Sequence, residues 1–358
     1  MAESKLEALF AEVHLNLLGE VKLVTDEKNF SRFSSWLSLG KHAEMNFLER
    51  YQNFRRAPQT LEDGLHFALV FALNYSSLRE AHKACSSGIA KYAVMQDYHK
   101  WMKKQSILVA KQLARENPEL RYRITIDSAP LLERSLAAKT LQGWIGKNSC
   151  FISPTEGSFL LIGEILLSES VAKVDKGRPQ TIDPLKRSVI GGCGTCKRCQ
   201  VHCPTGALDQ DFSLDANLCL SYWSIEHRGL IPIKFWPHFD RYWYGCDICQ
   251  DVCPYNRSVS KPKRKGLDEM LPLKEHLLQI DLLEVITMDQ KFYENNFGGS
   301  PMTRAKKSGL QRNALIASVV KNLSGLEEVI AMIAANPEQY PELLLRTLEQ
   351  VSQYKQLD

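Results

Sequence analysis

At 358 residues the chain is long enough to bury roughly two or three separate cores, and 45 Lys and Arg against 41 Asp and Glu leave a formal net charge of only +4. A charge this small, at a sequence pI near 8.4, excludes any argument for a polyanion partner from composition alone. The longest apolar run, Phe159 to Leu167, is broken by Gly163 and Glu164 and is too short to span a bilayer, so no membrane association is expected.

From Met1 to Lys22, charges alternate with Leu6, Leu9, Phe10, Val13, Leu17 and Leu18, a helical stripe rather than a secretory leader. A soluble, cytoplasmic protein is expected. The helical period continues to about Arg50, through Phe33, Trp36, Leu37 and Leu39, with a break at Gly40. His66 to Tyr75 is a continuous apolar run of strand length, the pattern of a central strand covered on both faces, and it points to a layered α/β domain.

A helix is expected from about Asp97 to Arg115, a second strand from Tyr122 to Asp127, and a helix over Leu131 to Lys139 after the turn Asp127-Ser128-Ala129-Pro130. Cys150 to Ile152 and Phe159 to Ile162 flank Pro154 to Gly157 and read as a hairpin. No G-x-G-x-x-G or P-loop motif occurs, so nucleotide-fold phosphate sites are unsupported. After Pro254 come Arg257, Lys261, Lys263, Arg264 and Lys265 with no acidic residue until Asp268, a basic linker. From Leu271 to Leu357 the pattern is helical: Met302 to Lys321, then segments after Gly325 and Pro337, arranged as HEAT-like stacked helices.

Eight of the ten cysteines fall in one window. Cys193-x-x-Cys196-x-x-Cys199-x-x-x-Cys203-Pro204 is iron–sulfur spacing: three thiolates from one turn cap a cubane while the fourth reaches a second cluster. Cys246-x-x-Cys249-x-x-x-Cys253-Pro254 repeats the outline with one ligand missing, and Cys219 can supply it. The spacing therefore assigns Cys193, Cys196, Cys199 and Cys253 to one 4Fe-4S cluster, and Cys203, Cys219, Cys246 and Cys249 to the other. Paired zinc sites are the alternative, but zinc does not require the Cys-Pro ending that occurs twice. Cys85 and Cys150 lie outside the window and read as buried, inert thiols. The whole reads as an α+β protein with an N-terminal layered domain (1–185), a central ferredoxin-like two-cluster domain (186–260), and a basic linker with C-terminal HEAT-like helices (261–358).

Other segments carry a closer likeness: Trp36-Leu37-x-x-Gly40, Arg56 before Pro58, Asn74-Tyr75, Asp97-Tyr98-His99, Asp127-x-x-Pro130-x-x-Glu133-Arg134, Gly143 to Asn148, Cys219-x-Ser221-Tyr222-x-x-Ile225-Glu226 and Arg312-Asn313. Together with the cysteine window they resemble the epoxyqueuosine reductases, cobalamin-dependent iron–sulfur enzymes that modify tRNA. The likeness departs at Ala57 and Ala129, where that family usually has Asp and Gly; the second change restricts the turn after Asp127.

The resemblance implies a cobalamin held in the N-terminal domain near one cluster, with Arg56, Asp97, Tyr98, His99, Asp127, Arg134, Lys147 and Ser221 as its contacts. It implies reduction of the epoxide of epoxyqueuosine in a tRNA anticodon loop to the alkene of queuosine, Asp127 protonating the departing oxygen. An aspartate titrates at about 3.9 in water, so burial against corrin and base is expected to raise it. Without the resemblance Asp127 reads as a helix cap. Lys261, Lys263, Arg264 and Lys265 are the expected phosphate contacts, with Arg304 to Lys321 as further candidates. Expected partners are the epoxyqueuosine-carrying tRNA and an unidentified low-potential electron donor, with the protein a monomer. The rival readings are a reductive dehalogenase-like cobalamin enzyme and a non-catalytic electron carrier.

Overall fold

In a computed structural model, residues 3–76, 87–172, 192–257 and 271–356 are described. Six strands form among them: β1 (Asn16–Lys22), β2 (Phe67–Asn74), β3 (Tyr122–Thr125), β4 (Trp144–Ile145), β5 (Phe151–Ile152) and β6 (Leu160–Leu167). Four make one sheet in the order β1-β2-β6-β3, antiparallel at every junction, and β4 pairs with β5 apart from it.

The apolar run of β2 is explained by its place inside this sheet. Successive side chains point to opposite faces. Leu69, Phe71 and Leu73 pack on one side with Leu6 and Phe10 of α1 (Glu3–Glu12) and Met102, Val109 and Leu113. Ala68, Val70 and Ala72 face the other side with Leu136, Ala137 and Phe151. Between α1 and the helices that supply those residues runs α2 (Glu27–Ser38); α3 (Tyr98–Glu116) holds Met102 to Leu113, and α4 (Glu133–Lys139) holds Leu136 and Ala137. Each such Leu, Val, Phe or Met side chain, buried on folding, contributes about 2 kcal/mol. Against that background Glu164, fully buried in β6, is the anomaly of the sheet.

Two expectations are corrected here. The helical reading from Leu6 to Arg50 is interrupted by β1, whose buried residues Leu18 and Val21 are three apart because the pairing register slips between Leu17 and Gly19. A bulge thus imitates a helical period. The expected hairpin also fails: Phe151–Ile152 pairs with Trp144–Ile145, and Leu160–Leu167 joins the main sheet, leaving only a Ser153 to Gly157 bridge to close the turn. Gly157 has φ +75 there, and the side chain of Asn256 packs where its Cβ would be.

The C-terminal part is helical, with α5 (Leu282–Thr287), α6 (Gln290–Phe297), α7 (Lys306–Val320), α8 (Leu326–Ala335) and α9 (Glu342–Tyr354). Helix α7 is not an exposed basic face. It is buried from Gly309 to Val319 and shares one core with Leu220, Phe235, Trp236 and Trp243 of the cysteine-bearing segment. Arg312, wholly buried, donates to the carbonyls of Trp223, His227 and Gly229 at 2.9, 3.0 and 2.7 Å. Arg304 pairs with Glu226 and Lys321 with Asp240. Both expected domain boundaries, near 185 and 260, lie outside the described residues. Among the described residues no helix is long and apolar enough to cross a membrane.

Candidate functional site

The two cysteine runs fold as short helical turns, Arg198–Val201 and Ile248–Asp251, and Pro254 opens a further turn after the second. Cys193, Cys196, Cys199 and Cys253 line one cavity together with Lys147, Asn148 and Tyr255. Cys203 and Cys219 lie within electrostatic reach of Cys246, and Cys219 and Cys246 within reach of Cys249. The structure thus brings the first four around one cavity and places the other four near one another, while among the described residues no three His, Cys, Asp or Glu side chains stand close enough to hold a single metal ion. Burial pushes the Cys199 thiol up to about 11 and Cys246 up to about 12. Thiolates at these positions need a bound positive charge, which an iron–sulfur core supplies. Cys150, expected as a buried, inert thiol, is half-buried, and the neighbouring Cys249 draws its pKa down. Cys85 lies outside the described residues.

Asp127 closes β3 in the left-handed region, φ +49, a conformation that Asp and Asn tolerate better than other side-chain-bearing residues. Ala129 is not among the positive-φ residues, so the departure from glycine leaves the turn intact. The Asp127 side chain is 61% exposed, so any burial must come from bound groups. Its Oδ2 accepts from the Tyr98 hydroxyl at 3.3 Å and faces Nε2 of His99 at 3.5 Å. Asp97 caps α3 and holds Nδ1 of His99 at 2.8 Å. Tyr98 stacks on the His99 ring with centroids 4.0 Å apart. The bond to Asp127, helped by Asp97 and opposed by burial, raises the His99 pKa above its ordinary value.

The remaining candidates are placed less centrally. Arg134 donates to the Ser149 carbonyl rather than pairing with Asp127. Lys147, almost fully buried, reaches Asp211 at 3.1 Å while its amide approaches Cys193 Sγ at 3.4 Å. Ser221 bonds to Cys219. Arg56 is engaged by Glu27 at 2.6 Å in an exposed pair and is not brought to the Asp127 corner. Lys261, Lys263, Arg264 and Lys265 lie outside the described residues.

Several contributors carried no sequence signal. Lys91, 3% exposed, bonds Asp247 at 3.3 Å and Asp251 at 2.9 Å, tying the sheet domain to the second cysteine run through a buried ion triplet. Asn256 ties the same parts again, with Ser158 N–H donating to its Oδ1 at 2.8 Å and its amide donating to Ser158 Oγ and the Gln250 carbonyl at 2.9 and 2.8 Å. Trp144 Nε1 and Asn148 Nδ2 are buried donors with no partner among the described residues. Gln96, Asp97, Lys100, Trp101, Lys104 and Lys274 line an open groove of about 420 Å³, which shares with the Asp127 corner only Asp97.

The family model for epoxyqueuosine reductase QueG matches residues 55–128, and that for a 4Fe-4S double cluster binding domain matches residues 192–256. An epoxyqueuosine reductase of Cellulophaga algicola is 37% identical over 225 residues, 63% of this chain and 68% of that protein. The chain belongs to the epoxyqueuosine reductase family. An epoxyqueuosine reductase of Vibrio cholerae is 33% identical over 229 residues, 64% of this chain and 58% of the relative, so the chain spans about three fifths of some of the curated relatives it matches. The fold is that of a solved epoxyqueuosine reductase bound to an epoxyqueuosine-modified tRNA stem loop, with a TM-score of 0.78 at 21% identity, covering 98% of this chain and 88% of the other.

Proposed function

We propose that this protein reduces the cyclopentane epoxide of epoxyqueuosine in a tRNA anticodon loop to the alkene of queuosine, using a cobalamin and two 4Fe-4S clusters. The observation that carries the reading is the Asp127 corner: an accessible carboxyl fixed by Tyr98 and His99 in a chain whose eight window cysteines have the number and spacing that two cubanes require. The reaction takes up two electrons and two protons, breaks both carbon–oxygen bonds and releases water. When bound, cobalamin supplies the two-electron reduction at carbon and the clusters pass electrons to it singly.

The chain's own residues supply protons and positioning. A proton held between His99 Nε2 and Asp127 Oδ2 is delivered to the departing oxygen through Asp127, while Asp97 keeps the imidazole facing it. Cys193, Cys196, Cys199 and Cys253 would hold one cluster, Cys203, Cys219, Cys246 and Cys249 the other. The unpartnered donors Trp144 Nε1 and Asn148 Nδ2 suit a group whose rim carries amide carbonyls, as the corrin does. Residues 1–185 would form the cobalamin domain, with Tyr98, His99, Asp127, Arg134, Lys147 and Ser221 as its contacts.

For the RNA, the groove at Lys100, Trp101 and Lys104 offers cations and an aromatic face to an unpaired loop, and the linker lysines add phosphate contacts. The enzyme would act as a cytoplasmic monomer fed by an external low-potential donor. Anaerobic incubation with epoxyqueuosine-containing tRNA, cobalamin and a low-potential reductant should yield queuosine. Cluster-loaded protein that neither binds cobalamin nor converts the tRNA would favour a plain electron carrier.

A further inference from the structure

Two carboxyl groups flank the Asp127 turn, and neither forms an ion pair among the described residues. Glu164 sits in the middle of β6, directly across from Thr125 on β3, and is 0% exposed. The Thr125 hydroxyl donates to its Oε2 at 2.7 Å, while Oε1 is buried without a partner. Glu133 opens α4 on the far side of the turn; its Oε1 is likewise buried and unpartnered, and the Asp127 amide lies against its carboxyl. Thr125, two residues before Asp127, and Glu133, six residues after it, thus bracket the turn with Glu164 beneath Thr125.

Ionised carboxylates only accept hydrogen bonds, so two of them here would leave charge and lone pairs stranded in the interior. A retained proton turns one carboxyl into a donor and removes a charge. We infer that Glu133 and Glu164 keep at least one proton between them at neutral pH and serve as the positioning pair for Asp127, which rests on Asp127 being the acid proposed above.

The electrostatics agree with this arrangement. Burial, opposed by the Thr125 bond and reinforced by Asp127, pushes Glu164 up to about 8. Burial, with Glu164 and Asp127 adding to it and Arg134 opposing, holds Glu133 well above the carboxylate range. Tyr98 from α3 also feels the Glu133 charge, so Asp127, Arg134 and Tyr98 are the ionisable neighbours of the pair. While that proton is held, the pair sets at most one negative charge beside the left-handed Asp127 turn. Its ionisation sets like charge beside Asp127 and displaces the turn.

The sign for stability follows from linkage. Folded Glu164 binds a proton that the unfolded chain releases, so the stability this proton adds is present below pH 4.5 and is lost as pH rises to about 8. Infrared spectra of the full-length protein at pH 7 should show the carbonyl band of a buried protonated carboxyl, lost in Glu164→Gln together with Glu133→Gln and retained in Asp127→Asn. Glu164→Gln should also flatten the decline of melting temperature with pH and move the alkaline fall of activity upward. Absence of the band in the wild-type protein at pH 7, or a pH dependence of melting unchanged in the double variant Glu133→Gln with Glu164→Gln, overturns the inference. Full activity in Asp127→Asn would instead remove the acid assignment, with the infrared band deciding the pair separately.

Discussion

His99 reaches Asp127 with Nε2 3.5 Å from Oδ2 while its other ring nitrogen is held by Asp97. An imidazole bonded to carboxylates at both nitrogens favours its cation, and the raised His99 pKa has that cause. Because the shift is upward, the cation and its bond to Asp127 are present below the ordinary 6.5 and are lost as pH rises through the higher folded value. A titration of the His99 ring by NMR should show this, and Asp127→Asn should bring the His99 pKa down. No movement in that variant would separate His99 from the acid.

Asp127→Asn tests the acid itself. Asparagine tolerates the same left-handed backbone but has no carboxylic proton. The variant should fold, hold both clusters, bind cobalamin and tRNA, and lose turnover by about two or more orders of magnitude. Asp127→Glu keeps the charge yet suits φ +49 poorly, so it should lose activity as well.

Anaerobically reconstituted protein should contain about eight irons per chain. Cys219→Ala should lower this to about four, since Cys219 stands outside both runs and belongs to one group alone. Retention of all the iron, measured with the electron paramagnetic resonance of the reduced protein, would reject the grouping.

Reversing Lys100 and Lys104 to Glu should weaken binding of an anticodon stem loop and reduce the salt dependence of that binding, leaving iron and cobalamin content unchanged. A triple reversal at Lys263, Arg264 and Lys265 should do the same if the linker contacts phosphate. An unaltered salt slope in either variant marks those lysines as solvated charges only.

Asn256→Ala should lower stability by roughly 2–3 kcal/mol, because it strips partners from the Ser158 amide and the Gln250 carbonyl inside a buried network. Thermal unfolding checks the magnitude. Retention of the cluster assigned to Cys253 should fall in parallel, since Asn256 steadies the turn that follows that cysteine.

The cluster-binding window was legible from spacing because cluster ligation is a local, periodic constraint, and β2 was legible because both its faces are apolar. Strand β1 was hidden by its bulge, and the partners of Phe151 and Leu160 were hidden because pairing is decided by the whole sheet. Asp127 stood out only through resemblance; alone it has the pattern of a cap. Glu133, Glu164, Lys91 and Asn256 form contacts between residues up to 160 apart in the chain, and no local pattern marks such pairs. Arg312 looked like part of a basic surface because a lone charge in a helix says nothing about which carbonyls will surround it.

The shared core of α7 with residues 220–244 has a practical consequence. A segment cut at the borders of the cluster motif would leave Trp236 and Trp243 without their packing and three carbonyls without the Arg312 guanidinium. A segment bounded by the cysteine window carries only part of the core on which it folds, so it should not keep its fold when expressed without α7.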